Sequence, residues 1–305
     1  MRDARGGTPE EAGGPAIAAP SFRLEGSRIL VVGSGGIGGT VAHEFGRLGA
    51  TSITLADFDS YAASNMNRQI ACYADTLGRR KAETLATGLR RLEPPPSVSV
   101  IAEKRKADGF AREIAEADFV VAAADDYAFS LALLDQALEA GKPAGAALPI
   151  GMWAAVGLFL PGGPLPASLF GFRRQDDEEG YACEIGLRRP ALARAIARRS
   201  RGALVPELSA FMRGRGSGDR GEGSEARPPQ LCPVVWSAAS LLVMEAAKLL
   251  LAMGRPIAAP RWIELTPRGI RVRTSLAALA ARQRSTRPHG GARPHRGDAR
   301  RAEKG

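Results

Sequence analysis

Six residues, Gly33-Ser34-Gly35-Gly36-Ile37-Gly38, constrain this chain more than any others. They directly follow Arg28–Val32, a short β-branched run, and open Ile37–Leu48, whose apolar residues recur at helical spacing. A G-x-G-x-x-G turn between a strand and a helix marks the first βα unit of a parallel sheet. Its glycines let backbone approach a phosphate group closely, and the free amides at the helix start favour an anion.

The segments that follow keep the same alternation. Strands are predicted at Ser52–Leu55, Val98–Ala102, Phe119–Ala123 and Pro143–Leu148. Helices are predicted between them at Gly78–Leu92, closed by Pro94-Pro95-Pro96, at Asp108–Ala117, and at Tyr127–Ala140, ended by Gly141. This rhythm gives an α/β fold over residues 21–150: a doubly wound, mostly parallel, Rossmann-like sheet covered on both faces. After residue 150 the rhythm breaks. Trp153–Leu160 reads as a strand able to pair antiparallel, Pro190–Arg201 as a basic helix, and 213–229 as a flexible polar excursion. The apolar helix Val234–Met253 and short strands near Arg261–Leu265 and Ile270–Arg273 follow. Residues 151–275 are therefore expected to complete the sheet as a mixed extension and to shape the substrate side. Residues 1–20 and 276–305 read as disordered ends.

The formal charge of +10 would suit a nucleic-acid partner, but its distribution argues otherwise. Residues 282–305 hold eight Lys or Arg against Asp298 and Glu303, in a Pro/Gly/His-rich tail that reads as solvated. Three cysteines with no CxxC pair point to a reducing, cytoplasmic setting. Only His43 lies in the body of the chain, which argues against a His triad or a histidine zinc site, and His43 itself reads as a packing or surface residue. Residues 1–20 do not read as a signal peptide. Leu231–Met253 is long enough to span a bilayer, but Glu245 and Lys248 interrupt it one turn apart, so it reads as a buried helix with no membrane role. Trp153, Trp236 and Trp262 are assigned to the core.

Asp57 ends the second strand, where a carboxylate accepts a ribose hydroxyl. On Asp57 and the glycine loop alone, an NAD-dependent oxidoreductase is the favoured reading. The next residues shift the balance: Asp57-Phe58-Asp59, then Asn65-Met66-Asn67-Arg68-Gln69, then Gly78-Arg79-Arg80-Lys81. A polar loop here supplies Asn65, Arg68 and Lys81 where a dinucleotide enzyme runs into another helix. A triphosphate concentrates negative charge and needs a guanidinium, an ammonium and a metal around it. Asp125, after the Phe119–Ala123 strand, suits Mg²⁺, which takes one or two carboxylates together with phosphate oxygens.

With these residues in place, Arg28 to about Leu148 resembles the E1-like superfamily, the ThiF/MoeB/HesA-type adenylyltransferases related to ubiquitin-activating enzymes. The resemblance implies that Gly33, Gly35, Gly36 and Gly38 hold nucleotide phosphates and Asp57 the ribose. It implies that Asn65, Arg68 and Lys81 contact the phosphates of ATP and that Asp125 holds magnesium, with Arg68, Lys81 and Asp125 as the catalytic set. The implied reaction is attack of a substrate carboxylate on the α-phosphorus. That substrate is the C-terminus of a small protein or peptide, a small molecule, or a tRNA-linked carboxylate, and a homodimer through the Val234–Met253 helix is implied with it.

The chain also departs from the family pattern. It lacks the CxxC pairs of zinc-bearing relatives, so no zinc is expected, and it lacks an N-terminal arginine arm. Asp126 stands where relatives often have Asn and is expected to cap the Tyr127–Ala140 helix. For a thioester, Cys183 near Arg188 and Arg189 has the electropositive setting a thiolate needs, though a structural role is preferred. Cys232 and Cys72 are expected to pack. A catalytically silent partner of another E1-like subunit remains an alternative alongside the NAD reading.

Overall fold

The structure, a computed structural model, describes residues 23–166 and 230–274. The expectations for 1–20, Cys183, Pro190–Arg201, 213–229 and 276–305 lie outside them.

The strands are β1 (Arg28–Val32), β2 (Ser52–Ala56), β3 (Ser97–Ile101), β4 (Phe119–Ala122), β5 (Ala144–Ile150), β6 (Trp153–Phe159), β7 (Arg261–Thr266) and β8 (Gly269–Thr274). They form one sheet in the order β3-β2-β1-β4-β5-β6-β7-β8. From β3 to β5 neighbours are parallel, and from β5 to β8 they are antiparallel. Strands after residue 150 thus extend the first sheet, as the mixed extension required. β1 and β4 are apolar runs because both faces of a parallel strand are covered, and β4 is buried along its whole length. β3 alternates, as suits an edge.

The helices are α1 (Gly36–Arg47), α2 (Lys81–Leu89), α3 (Ala111–Glu116), α4 (Tyr127–Glu139) and α5 (Cys232–Leu250). α1, α2 and α5 cover one face around Phe45, Leu85 and Leu242. α3 and α4 cover the other around Phe110, Leu133 and Trp153. Asp126 caps α4 as expected, its Oδ1 accepting from the backbone N–H of Ala128 (2.9 Å) and Phe129 (3.2 Å). α5 is long and apolar enough to cross a membrane, yet it packs on α1, β5 and β6. Its Glu245 is buried, accepting from Lys248 Nζ at 2.6 Å and the Ile257 N–H at 2.7 Å.

Three expectations are corrected. The helix expected over Gly78–Leu92 begins only at Lys81, because Gly78 takes φ +77° and Arg79 N–H closes a turn onto Thr76. The helix expected over Asp108–Ala117 opens as a tight 3₁₀ turn, Ala107–Phe110, before α3. Trp153 and Trp262 do meet in the core, edge to face at 6.1 Å, but Trp236 is 40% exposed. It lies on the outer face of α5, and its Nε1–H donates to the Arg68 carbonyl at 2.9 Å.

Candidate active site

The strand order reverses direction at β1 and β4, so a crevice opens beyond their carboxyl ends, where ligands of doubly wound sheets lie. Gly33 follows β1 there with φ +97°. A Cβ on Gly33 would stand 2.5 Å from the Ala123 carbonyl, so the loop after β1 runs backbone to backbone against the loop after β4. Gly38 is tighter, since a Cβ would fall 1.8 Å from the Gly33 oxygen. These two glycines build the turn. Gly35 differs: its φ is −78° and the nearest atom to an added Cβ is Gln69 Nε2 at 3.6 Å. No neighbouring atom crowds a side chain there, so the loop is open on that side.

Asp57 sits at the end of β2 and secures the loop. Its Oδ2 accepts from the Ser34 N–H at 2.6 Å and its Oδ1 from the Asp59 N–H at 2.8 Å. Burial raises its carboxyl above the usual carboxylate range, against the opposing pull of those two amides and of Lys81. Lys81, the first residue of α2, is buried, and its Nζ donates to Asp59 Oδ2 at 2.9 Å. A cleft of about 1090 Å³, counting the part open to solvent, brings together Gly33, Gly35, Asp57, Asp59, Gln69, Lys81 and Asp125. Its outer wall carries Phe58, with Lys104 Nζ over the ring at 5.5 Å, and Arg105 against Phe110.

Two further residues of the predicted set lie on the loop flanking this cleft, outside its lining. Asn65 is buried and its Oδ1 accepts from the Ala62 N–H at 3.0 Å, so its carbonyl end shapes the loop and only its amide end remains for a ligand. The Arg68 guanidinium donates from Nε to Gln230 Oε1 at 2.7 Å and from Nη1 to the Ser64 carbonyl and Asn67 Oδ1, both at 2.8 Å. Gly36 faces a second cleft, largely apolar, lined with Gly35, Ala123, Asp125, Leu131, Leu134, Leu148 and Gln230. The two clefts share Gly35, Ala123, Ala124 and Asp125 and so meet at the glycine loop.

Sequence reasoning missed Asp59 and Gln69 as lining residues, although both stand inside segments it had singled out. Gln230 carried no local signal. Ser34 Oγ and Gln69 Oε1 are buried without a hydrogen-bond partner. Orphaned polar atoms beside a glycine loop fit a polar ligand that completes them. Asp125 lines the cleft, and Mg²⁺ needs only one or two carboxylates beside phosphate, so the donor set fits magnesium although no cluster of three or more His, Cys, Asp or Glu occurs among the described residues. Cys72 is buried, its thiol donates to the Ala62 carbonyl at 3.6 Å, and burial pushes its pKa up, so it packs as expected. Cys232, partly exposed, begins α5.

This geometry has known counterparts. Over 160 residues the chain is 30% identical to the molybdopterin-synthase adenylyltransferase of Escherichia coli, covering 52% of this chain and 59% of that one. It is 40% identical over 75 residues to the tRNA threonylcarbamoyladenosine dehydratase of Escherichia coli, covering 25% and 28% respectively. It is 31% identical over 121 residues to the SAMP-activating enzyme E1 of Haloferax volcanii, covering 40% and 45%. The chain therefore matches about a quarter to three fifths of the length of these relatives. Among solved structures, Escherichia coli MccB with ATP superposes with a TM-score of 0.58 at 21% identity, over 82% of this chain and 64% of that one, a likeness of fold. The sequence profile of the ThiF family matches residues 17–286. With the glycine loop, Asp57, Lys81 and Asp125 gathered at the switch point of an E1-like sheet, the chain belongs to the ThiF family.

Proposed function

We propose that this protein uses ATP to adenylate a substrate carboxylate. The observation that carries this reading is Lys81, a buried ammonium held by Asp59 inside the cleft that the glycine loop and Asp57 line. Glycine loop and ribose carboxylate alone suit NAD equally well, whereas a buried ammonium suits a triphosphate, whose charge is denser. The names of the relatives, an adenylyltransferase and an activating enzyme among them, support the same reading.

Charge in the cleft sets what else is needed. Its lining carboxylates (Asp57, Asp59, Glu103, Asp125, Asp126) outnumber its cations (Lys81, Lys104, Arg105). A triphosphate adds more negative charge, so the site needs Arg68 from the flanking loop and Mg²⁺ on Asp125. When bound, Mg²⁺ supplies neutralisation of the phosphate oxygens. The loop amides at Gly35 and Gly36 receive phosphate oxygens, Asp57 accepts a ribose hydroxyl, and Lys81 and Arg68 balance the charge that develops on the leaving group.

The carboxylate enters from the apolar cleft, which adjoins the nucleotide at Gly35 and Asp125. Its oxygen forms a bond to the α-phosphorus as the bond from that phosphorus to the bridging oxygen breaks, and pyrophosphate departs. The nucleophile is already an anion, so no proton moves and no general base is used. Positioning and charge stabilisation carry the catalysis. The candidate acyl partners are a small-protein or peptide C-terminus, a small molecule, or a tRNA-linked carboxylate. Trp236 and Met244, exposed on the outer face of α5, support a homodimer as part of the same proposal.

The test is exchange of labelled pyrophosphate into ATP across a panel of these carboxylates. Exchange that depends on one carboxylate and is lost in Asp125→Ala bears the proposal out. No exchange with any of them, or full exchange in Asp125→Ala, overturns it or its metal role respectively.

A further inference from the structure

We infer that Gln230 is a positioning residue for Arg68, an inference that rests on the adenylation reading, in which Arg68 meets the phosphates. Gln230 immediately precedes Leu231, the N-cap of α5. Its Oε1 accepts from Arg68 Nε at 2.7 Å, and its backbone carbonyl accepts from Asn67 Nδ2 at 3.0 Å. Its backbone also bridges to Gly151 in the turn between β5 and β6, and the residue lines the apolar cleft beside Gly35 and Gly36. One glutamine thereby ties the arginine loop to α5, to the β5–β6 turn and to the wall of the acyl side.

The arrangement orients the guanidinium through neutral acceptors on Nε and Nη1: the Gln230 amide, the Ser64 carbonyl and the Asn67 amide. Ser64 and Asn67 belong to the same loop as Arg68 and travel with it. Gln230, 162 residues away in sequence, anchors the guanidinium to the rest of the fold. A guanidinium fixed in plane beforehand loses less freedom when phosphate arrives. An apolar side chain at 230 would release it. That change weakens nucleotide binding through Arg68.

That dependence on Arg68 separates positioning from packing. Calorimetric titration with Mg-ATP compares wild type, Gln230→Leu, Gln230→Met, Arg68→Ala, and each Gln230 variant combined with Arg68→Ala. Each Gln230 variant is expected to weaken Mg-ATP binding roughly tenfold, about the worth of one hydrogen bond to a charged group. In the Arg68→Ala background the same substitutions are expected to change the affinity less than about twofold, as a closed double-mutant cycle requires. Should Gln230→Leu fail to fold, Gln230→Met, which keeps the length of the side chain, carries the comparison alone. Wild-type affinity in the Gln230 variants, or an equal loss with and without Arg68, overturns the inference and leaves the adenylation reading standing. Absence of Mg-ATP binding by the wild-type protein overturns both.

Discussion

Gly35→Ala is expected to leave the fold intact and damage nucleotide binding, whereas Gly33→Ala is expected to damage the fold itself. At Gly33 an L-residue would have to adopt φ +97° while its Cβ pressed to 2.5 Å from the Ala123 carbonyl. The left-handed backbone costs ~1–2 kcal/mol and forced overlap ~1–3 kcal/mol more. Backbone lies on both sides of the contact, so no side chain can rotate away. For a domain of roughly 150–250 residues each kcal/mol lowers Tm by about 2–4 °C, which gives a drop on the order of 10 °C. At Gly35 φ is −78° and the nearest neighbour is a side-chain nitrogen at 3.6 Å, an ordinary contact. Alanine there meets no clash, so Tm should fall far less than in Gly33→Ala. The new methyl would stand between the loop and a bound phosphate, and overpacking of ~1–3 kcal/mol corresponds to about a tenfold or greater loss of affinity. Thermal unfolding by circular dichroism and calorimetry with Mg-ATP read the two effects separately. Wild-type ATP affinity in Gly35→Ala would refute the phosphate cradle, and an unchanged Tm in Gly33→Ala would refute the turn argument.

Other consequences follow from buried charge. Arg273 Nε donates to Glu264 Oε2 at 2.6 Å, and Glu264 is fully buried, with Trp153 Nε1 on its other oxygen at 3.0 Å. Arg273→Ala strands that carboxylate and is expected to cost about 3 kcal/mol, the low end for a broken buried pair because Arg273 is itself half exposed; a urea midpoint equal to wild type would contradict this. Lys81→Met keeps the apolar stem but removes the ammonium, so Tm should change little while Mg-ATP binding falls at least roughly tenfold, a charge-assisted contact being worth ~1.5–3 kcal/mol; equal affinity would remove Lys81 from the site. Burial raises the Asp57 carboxyl, so the stability this group contributes is present in acid and is lost as pH rises through its raised value. Its role as a ribose acceptor needs the ionised form, so Mg-ATP affinity should climb through the same window. Titrations in wild type and Asp57→Asn across about pH 4 to 7 isolate the difference, and identical profiles would deny the carboxylate that role.

Local signals in the sequence located most of the site's frame. β1 and β4 announce themselves as apolar runs, and the glycine loop fixes their junction because its spacing serves one turn geometry. Asp57 and Asp125 stand at element ends, so placing the elements placed them too. The start of α2 escaped because Gly78, read as the opening of a helix, in fact turns the chain before it. Trp236 escaped because α5 is apolar around much of its circumference, so the pattern does not say which face is inward. Asp59 and Gln69 were visible as letters, but their place in the cleft follows from how the 57–81 loop folds back on the glycine turn. Gln230 had no signal at all, since its contacts with Arg68 and Asn67 join segments more than 160 residues apart.

The central claim is that this cleft holds a magnesium-bound triphosphate, and equilibrium titration of the purified protein with Mg-ATP and separately with NAD tests it most directly. The account predicts that Mg-ATP binds, that removing magnesium or introducing Arg68→Ala weakens it, and that NAD does not bind. Binding of NAD with no affinity for Mg-ATP would contradict it, leaving the glycine loop and Asp57 as the site of a dinucleotide.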